Sequence, residues 1–283
     1  MTRRGAAALA LVLLLAGCAR ADGGSPGPRA GGDPAGDTLV FQVAWTGGFT
    51  TPEELAGRMP LVSVYADGRA IAPGPVAAIY PGPAWPNVLV TQLDPGQVQA
   101  LVDRAVDAGV LDQEDLGRPG VADAATTRFI VRSGGRTAVR DVYALTEGAG
   151  DPRLTDTQRT ARGRLQELAQ AAPDLSAAGE PYRPAAVAVL ARPWNVAPVL
   201  VPRTTQPLPG PPPAAWSGPA LPGQPLTGDL GCLVVTGDEA RAVAAAAQRA
   251  NARTPWTTPA GGRWSLTFRP LLPHETGCAD LPA

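Results

Sequence analysis

The stretch Leu61-Val62-Ser63-Val64-Tyr65-Ala66-Asp67-Gly68-Arg69-Ala70-Ile71-Ala72 decides the fold class. Two apolar runs flank Asp67-Gly68, a dipeptide that accepts the positive φ angles of a tight hairpin turn. The stretch therefore predicts two antiparallel strands. Upstream, Leu39, Phe41, Val43 and Trp45 alternate with Val40, Gln42 and Ala44, which predicts a strand burying those four side chains on one face. Between them, Thr51-Pro52-Glu53-Glu54 has the form of a capping box with proline at the first helical position. Gly57 and Pro60 limit that helix to about a turn. Downstream, the pattern predicts a proline-punctuated strand at Val76 to Tyr80 and another at Val88 to Leu93.

Beyond Leu93 the apolar period changes from two to about 3.6. Asp94 can cap, Pro95 suits the first turn and Gln97 completes a box, while Val98, Leu101, Val102, Ala105 and Val106 share a face and Gly109 ends the helix. Thr126 to Arg132, the turn Ser133-Gly134-Gly135 and Arg136 to Leu145 predict a second hairpin. A second amphipathic helix runs from Thr155 to Ala172, with Ala161, Leu165, Leu168, Ala169 and Ala172 inward and Pro173 as its stop. Residues 38–175 thus read as an α+β domain: an antiparallel sheet with helices packed on one face.

Residues 176–283 read as a proline-rich wrap and a smaller C-terminal α+β unit, favoured as a second subdomain over an extension of the first sheet. Ala185 to Ala191 suits a buried strand. Prolines recur from Pro193 to Pro225, where the chain is an ordered surface wrap or a linker. Cys232 to Thr236 reads as a strand, and Thr236-Gly237-Asp238-Glu239 as a capping box. The helix that follows places Ala240, Val243, Ala244 and Ala247 on one face. Trp264, Leu266 and Phe268 alternate with Ser265, Thr267 and Arg269, which predicts a strand with a polar outer face.

The N-terminus carries a different signal. Arg3-Arg4, the apolar run Gly5 to Leu15 and the small residues Ala16-Gly17 have the order of a secretory signal peptide over residues 1–17. About ten apolar residues fall short of the roughly 20 that span a bilayer. Leu15-Ala16-Gly17-Cys18 resembles the lipobox of bacterial lipoproteins at all four positions. The resemblance implies a diacylglyceryl group on the Cys18 sulfur and cleavage just before it, so that the partner is the lipid bilayer. Two acyl chains give stable anchoring where one does not. Residues 18–37 are mostly Gly, Ala, Pro, Asp, Ser and Arg, a composition expected of a flexible tether. Export by the general secretory route is favoured over the twin-arginine route, because the bulky residues that usually follow twin arginines are missing. Val62 to Arg69, Thr126 to Val131 and Gly134-Gly135-Arg136 also resemble a family of actinobacterial secreted lipoproteins of uncharacterised function. That resemblance brings no activity with it.

Composition narrows the chemistry. Among 283 residues there is no lysine, all 24 basic residues are Arg, and His274 is the sole histidine. A Walker A phosphate loop, a Schiff-base lysine and a Ser-x-x-Lys centre are excluded, and any Ser-His-Asp triad would have to use His274. A net charge of −1 gives no electrostatic case for nucleic acid. No cofactor or metal is implied. A site made of Cys232, His274, Cys278 and Asp280 lacks a recognisable ligand spacing, and Asp112 to Asp115 reads as a solvated loop. Glu53-Glu54 and Asp238-Glu239 lie where helix N-termini favour negative charge. Outside the cytosol, Cys232 and Cys278 are expected to form a disulfide.

Six tryptophans complete the inventory. Trp45 and Trp264 fit core faces. Trp85, Trp194, Trp216 and Trp256 lie in proline-rich surroundings and are either caps on a core edge or part of a binding surface. The resulting expectation is a lipid-anchored extracytoplasmic, non-catalytic binding module for an envelope protein or a solute. The alternatives are a structural or accessory envelope subunit and, further off, a carboxylate-dependent hydrolase.

Overall fold

The computed structural model describes residues 36–176, 178–195 and 210–282. The expected signal segment over residues 1–17, Cys18, the expected tether up to residue 35 and residues 196–209 of the proline-rich stretch lie outside the described residues. The elements in chain order are β1 (Leu39–Gly47), α1 (Pro52–Gly57), β2 (Val62–Tyr65), β3 (Arg69–Pro73), β4 (Val88–Gln92), α2 (Pro95–Asp107), β5 (Ala125–Ser133), β6 (Arg136–Tyr143), α3 (Asp156–Ala171) and β7 (Glu180–Pro181). They continue as β8 (Ala186–Pro193), β9 (Ala214–Ala215), β10 (Gln224–Thr227), β11 (Leu230–Thr236), α4 (Gly237–Gln248), β12 (Trp256–Thr257) and β13 (Arg263–Pro270). The class is α+β, built on two sheets. The first has the order β6-β5-β1-β2-β3-β4-β7 and the second β10-β11-β8-β13-β12-β9.

Local chemistry places the elements of the first sheet. Asp67-Gly68 turns β2 into β3, with Gly68 at φ +89° so close to the chain that a Cβ there would meet the Leu93 carbonyl oxygen. Thr51, Asp94 and Thr155 each cap a helix through a complete capping box with Glu54, Gln97 and Gln158. Helices α2 and α3 cover one face, on which Phe41, Val43, Val62, Val64, Phe129 and Val131 meet Leu101, Val102, Leu165 and Leu168. At about 1.5–3 kcal/mol for each fully buried side chain of this kind, the face is the main source of stability here. A register shift between Leu39 and Phe41 turns Leu39 to the opposite side, so the expected one-faced alternation of β1 holds only from Phe41 to Val43.

Both sheets are covered on both faces. On the first, Tyr65, Ile71 and Val88 lie under Leu272 of the C-terminal segment. On the second, α4 packs one face, while Ala56 of α1, Leu271 and Leu281 pack the other against Ala188, Leu190 and Cys232. The early helix α1 thus serves the late sheet and the late tail serves the early one. The disulfide Cys232–Cys278 ties that tail to β11 across 46 residues.

Several expectations are corrected. Val76 to Tyr80 is not a strand but part of an exposed connection from β3 to β4. Pro73, Pro75, Pro81 and Pro83 remove the N–H groups a ladder needs. Ser265 and Arg269 do not face solvent, because α1 and the tail cover that side of β13; Arg269 is 1% exposed and pairs with Glu275 at 2.7 Å. Thr236 precedes α4 without a side-chain cap bond.

Candidate functional site

Register places most of the exposed apolar side chains at one end of the first sheet. Val43 lies opposite Val62, Ser63 opposite Ile71, and Ala72 opposite Leu89, so one row crosses β1, β2, β3 and β4. Beyond that row β1 runs on to Trp45 and Gly47, and the connection from Pro73 to Val88 loops out from β3 and β4. Gly47 and Gly48, at φ +62° and +89°, turn the chain sharply after β1. Phe49 then projects, its N–H bonded to the Asp123 carbonyl oxygen at 3.0 Å. Strands spaced about 4.8 Å apart put the ends of β1 and β3, from which the two projections leave, roughly 10 Å from one another.

These projections carry Trp45, Phe49, Val76, Ile79 and Tyr80, which are 45%, 93%, 71%, 61% and 72% exposed. A sixth side chain, Leu111, follows α2; because β4 and β5 both begin at this end, the helix joining them runs back to it. Six of the seven exposed large apolar side chains among the described residues therefore share one end, and the seventh, Val139, lies on the edge strand β6. Apolar side chains on a globular surface ordinarily scatter, so their collection is informative. The β3–β4 connection is held from below: Ala84 N–H bonds to the Ala250 carbonyl oxygen and Ala252 N–H to that of Gly82. The whole stretch from Pro73 to Pro86 carries no charged residue.

The tryptophans chosen from sequence do not make this surface. Trp216 and Trp256 are buried in the second core, edge to face with each other at 6.1 Å, and Trp256 meets Phe268 at 5.4 Å. Their role as a binding surface is withdrawn. They fill space that α4 leaves open, since it buries only Ala240, Val243 and Ala247. Trp85 is half-buried against the same core, Trp194 is half-buried beyond β8, and Trp264 packs on that core as expected. Trp45, expected inside, instead stands at the exposed end because β1 outruns the helices that cover its neighbours. The signal that finds the apolar end is the uncharged run from Pro73 to Pro86 together with Trp45 to Phe49, but only strand register brings the two together.

A polar cluster lies where the tail meets the first sheet. Tyr65 Oη and His274 Nδ1 are 2.7 Å apart, Tyr182 Oη donates to the Leu271 carbonyl oxygen, and Glu275 accepts from Arg269 and from Leu272 N–H. Burial pushes the Tyr65 and Tyr182 hydroxyls well above the ordinary tyrosine pKa, and desolvation holds His274 below 6.5. Each group is turned to a neighbour that holds the tail down.

A cleft of about 160 Å³ runs between α1 and the β10–β11 hairpin, lined by Thr51, Pro52, Glu53, Arg192, Asp229 and their neighbours. Glu53 meets Arg192 at 2.6 Å through one carboxylate oxygen and accepts from Thr267 Oγ1 through the other. Its carboxylate is thus committed to joining α1 to the second sheet rather than directed at a substrate. Glu54 is spent on the Thr51 cap, whose backbone N–H lowers its pKa. Asp112 to Asp115 are exposed. No group of three or more His, Cys, Asp or Glu side chains suited to a metal ion occurs among the described residues.

No family model matches the chain, and neither a curated protein nor a solved structure matches it.

Proposed function

We propose that this chain is an exported lipoprotein, held to the outer face of a membrane by diacylglycerol on Cys18, whose folded part is a non-catalytic interaction module. The observation that carries the module reading is the apolar end formed by Trp45, Phe49, Val76, Ile79 and Tyr80. An exposed set of this kind costs solubility and is kept where something covers it in use. The anchor reading rests on Leu15-Ala16-Gly17-Cys18 and the tether-like composition behind it, and the disulfide suits an oxidising compartment. In the cleft at Glu53, a hydrolase of the carboxylate kind would find both carboxylate oxygens already engaged.

Replacing Cys18 with Ser tests the anchor. The variant is expected to move from the detergent phase to the aqueous phase, and the mass of the native N-terminal peptide is expected to include two or three acyl chains. Retention of the variant in the membrane fraction with an unmodified native peptide overturns the reading.

A further inference from the structure

We infer that the apolar end of the first sheet docks into a lipid bilayer, with the β3–β4 connection as an insertion loop and Trp45 and Phe49 as a second contact. Placing this on the membrane that holds Cys18 rests on the anchor proposed above; the affinity for lipid does not.

The shape of the surface favours a fluid apolar phase. Val76, Ile79, Tyr80 and Phe49 stand on projecting loops with more than half of each residue exposed. A lipid phase can close around such tips from every side, whereas a folded partner would need a matching pocket for each. The chemistry agrees: Val76 and Ile79 are aliphatic, and Tyr80 and the exposed Trp45 are aromatic residues with a polar edge, the pairing found across a bilayer interface. Fourteen residues without a charge separate them from any ionised group of their own loop. The Arg253 guanidinium donates to Tyr80 Oη at 3.2 Å, so a cation stands at the edge of the loop.

Charge at this end is otherwise mixed, since Asp112, Glu114 and Asp115 follow Leu111. Insertion is accordingly driven by apolar transfer and not by attraction to anionic headgroups. The tether is long enough for the geometry. It leaves from the start of β1, at the far end of the sheet, but Cys18 to Gly36 can extend to roughly 60 Å, about twice the length of a nine-residue strand. The loop can therefore reach the bilayer to which Cys18 is fixed, and docking would lay the domain against the membrane.

The experiment uses the mature full-length chain with Cys18→Ser, which separates lipid affinity from lipidation. Co-sedimentation is measured with phosphatidylcholine vesicles and with vesicles containing phosphatidylglycerol, at low and high salt. Binding to both compositions is expected, with little loss at high salt. Ile79→Asp and Phe49→Asp should each weaken partition by about tenfold or more while leaving the melting temperature unchanged, because both side chains are already in water. No binding to either vesicle, or binding that Ile79→Asp leaves intact, overturns the inference. So does concentration-dependent self-association that Ile79→Asp abolishes without any vesicle binding, which would assign the surface to a second copy. Vesicle binding by the Cys18→Ser chain, combined with a native Cys18 free of lipid, would sustain this inference and remove the anchor reading. A lipidated native chain whose Cys18→Ser form ignores vesicles would do the reverse.

Discussion

The core under α2 and α3 is filled mainly by aliphatic side chains from both layers, whereas the core under α4 adds two indoles, Trp216 and Trp256, to its valines and alanines. Helix α3 brings Leu165 and Leu168 to its sheet; α4 brings Ala240, Val243 and Ala247. A helix with such small inward residues leaves a gap that must be filled at close-packed density, and Trp216 and Trp256 fill it from flanking segments. The lesson is that an alanine-rich helix changes what a nearby tryptophan is for. The two regions also differ in reinforcement, since the second has the disulfide and the buried Arg269–Glu275 pair.

Truncating the filler should have the largest effect. Trp256→Ala is expected to cost ~3–5 kcal/mol, and Leu165→Ala in the other core ~2–5 kcal/mol. Denaturant unfolding followed by far-ultraviolet circular dichroism checks both. A single shifted transition is expected for each, because α1 and the tail cross between the sheets. A separate early transition in Trp256→Ala alone would mean that the regions unfold independently.

Opening the disulfide comes next. The chain-entropy model gives about 4 kcal/mol for a loop of this length, and measured values for disulfides center on ~2–4 kcal/mol. With Cys232→Ala and Cys278→Ala combined, the unfolding free energy should fall by that amount, with protease cleavage appearing first around residues 271–282. Unchanged stability would show that Leu271, Leu272 and the Arg269–Glu275 pair hold the tail unaided.

The smallest effect separates the helices. Thr155 accepts from Gln158 N–H at the start of α3, while Thr236 makes no side-chain cap bond at the start of α4. Thr155→Ala should therefore cost ~1 kcal/mol and Thr236→Ala only a few tenths. Equal losses in the denaturant midpoint would remove this distinction.

Features set by a few neighbouring residues were legible from the chain alone. Asp67-Gly68, Gly134-Gly135 and the boxes at Thr51 and Asp94 act within four residues, and each element stands where they point, whereas α4 forms after Thr236 without the cap bond expected there. Legibility failed where burial depended on distant segments. Val76 to Tyr80 has apolar content suited to a strand, but no neighbouring strand is offered to it, and Pro75 and Pro81 bound it on either side. Arg269 alternates as an outward residue and is nevertheless buried, because α1 from the front of the chain and Glu275 from its end close over it.

By itself, then, the sequence determined the α+β class, the hairpins, most of the helices and the Cys232–Cys278 pairing, since turn geometry, capping and apolar period are local and beyond Cys18 the chain has only these two cysteines. The tertiary structure alone decided the strand order of the two sheets, that α1 and the tail change sides, that Trp216 and Trp256 are filler, and that Trp45, Phe49, Val76, Ile79 and Tyr80 share one end. Those outcomes depend on strand register and on which surface each layer finds to cover, and both are settled by contacts between residues far apart in the chain.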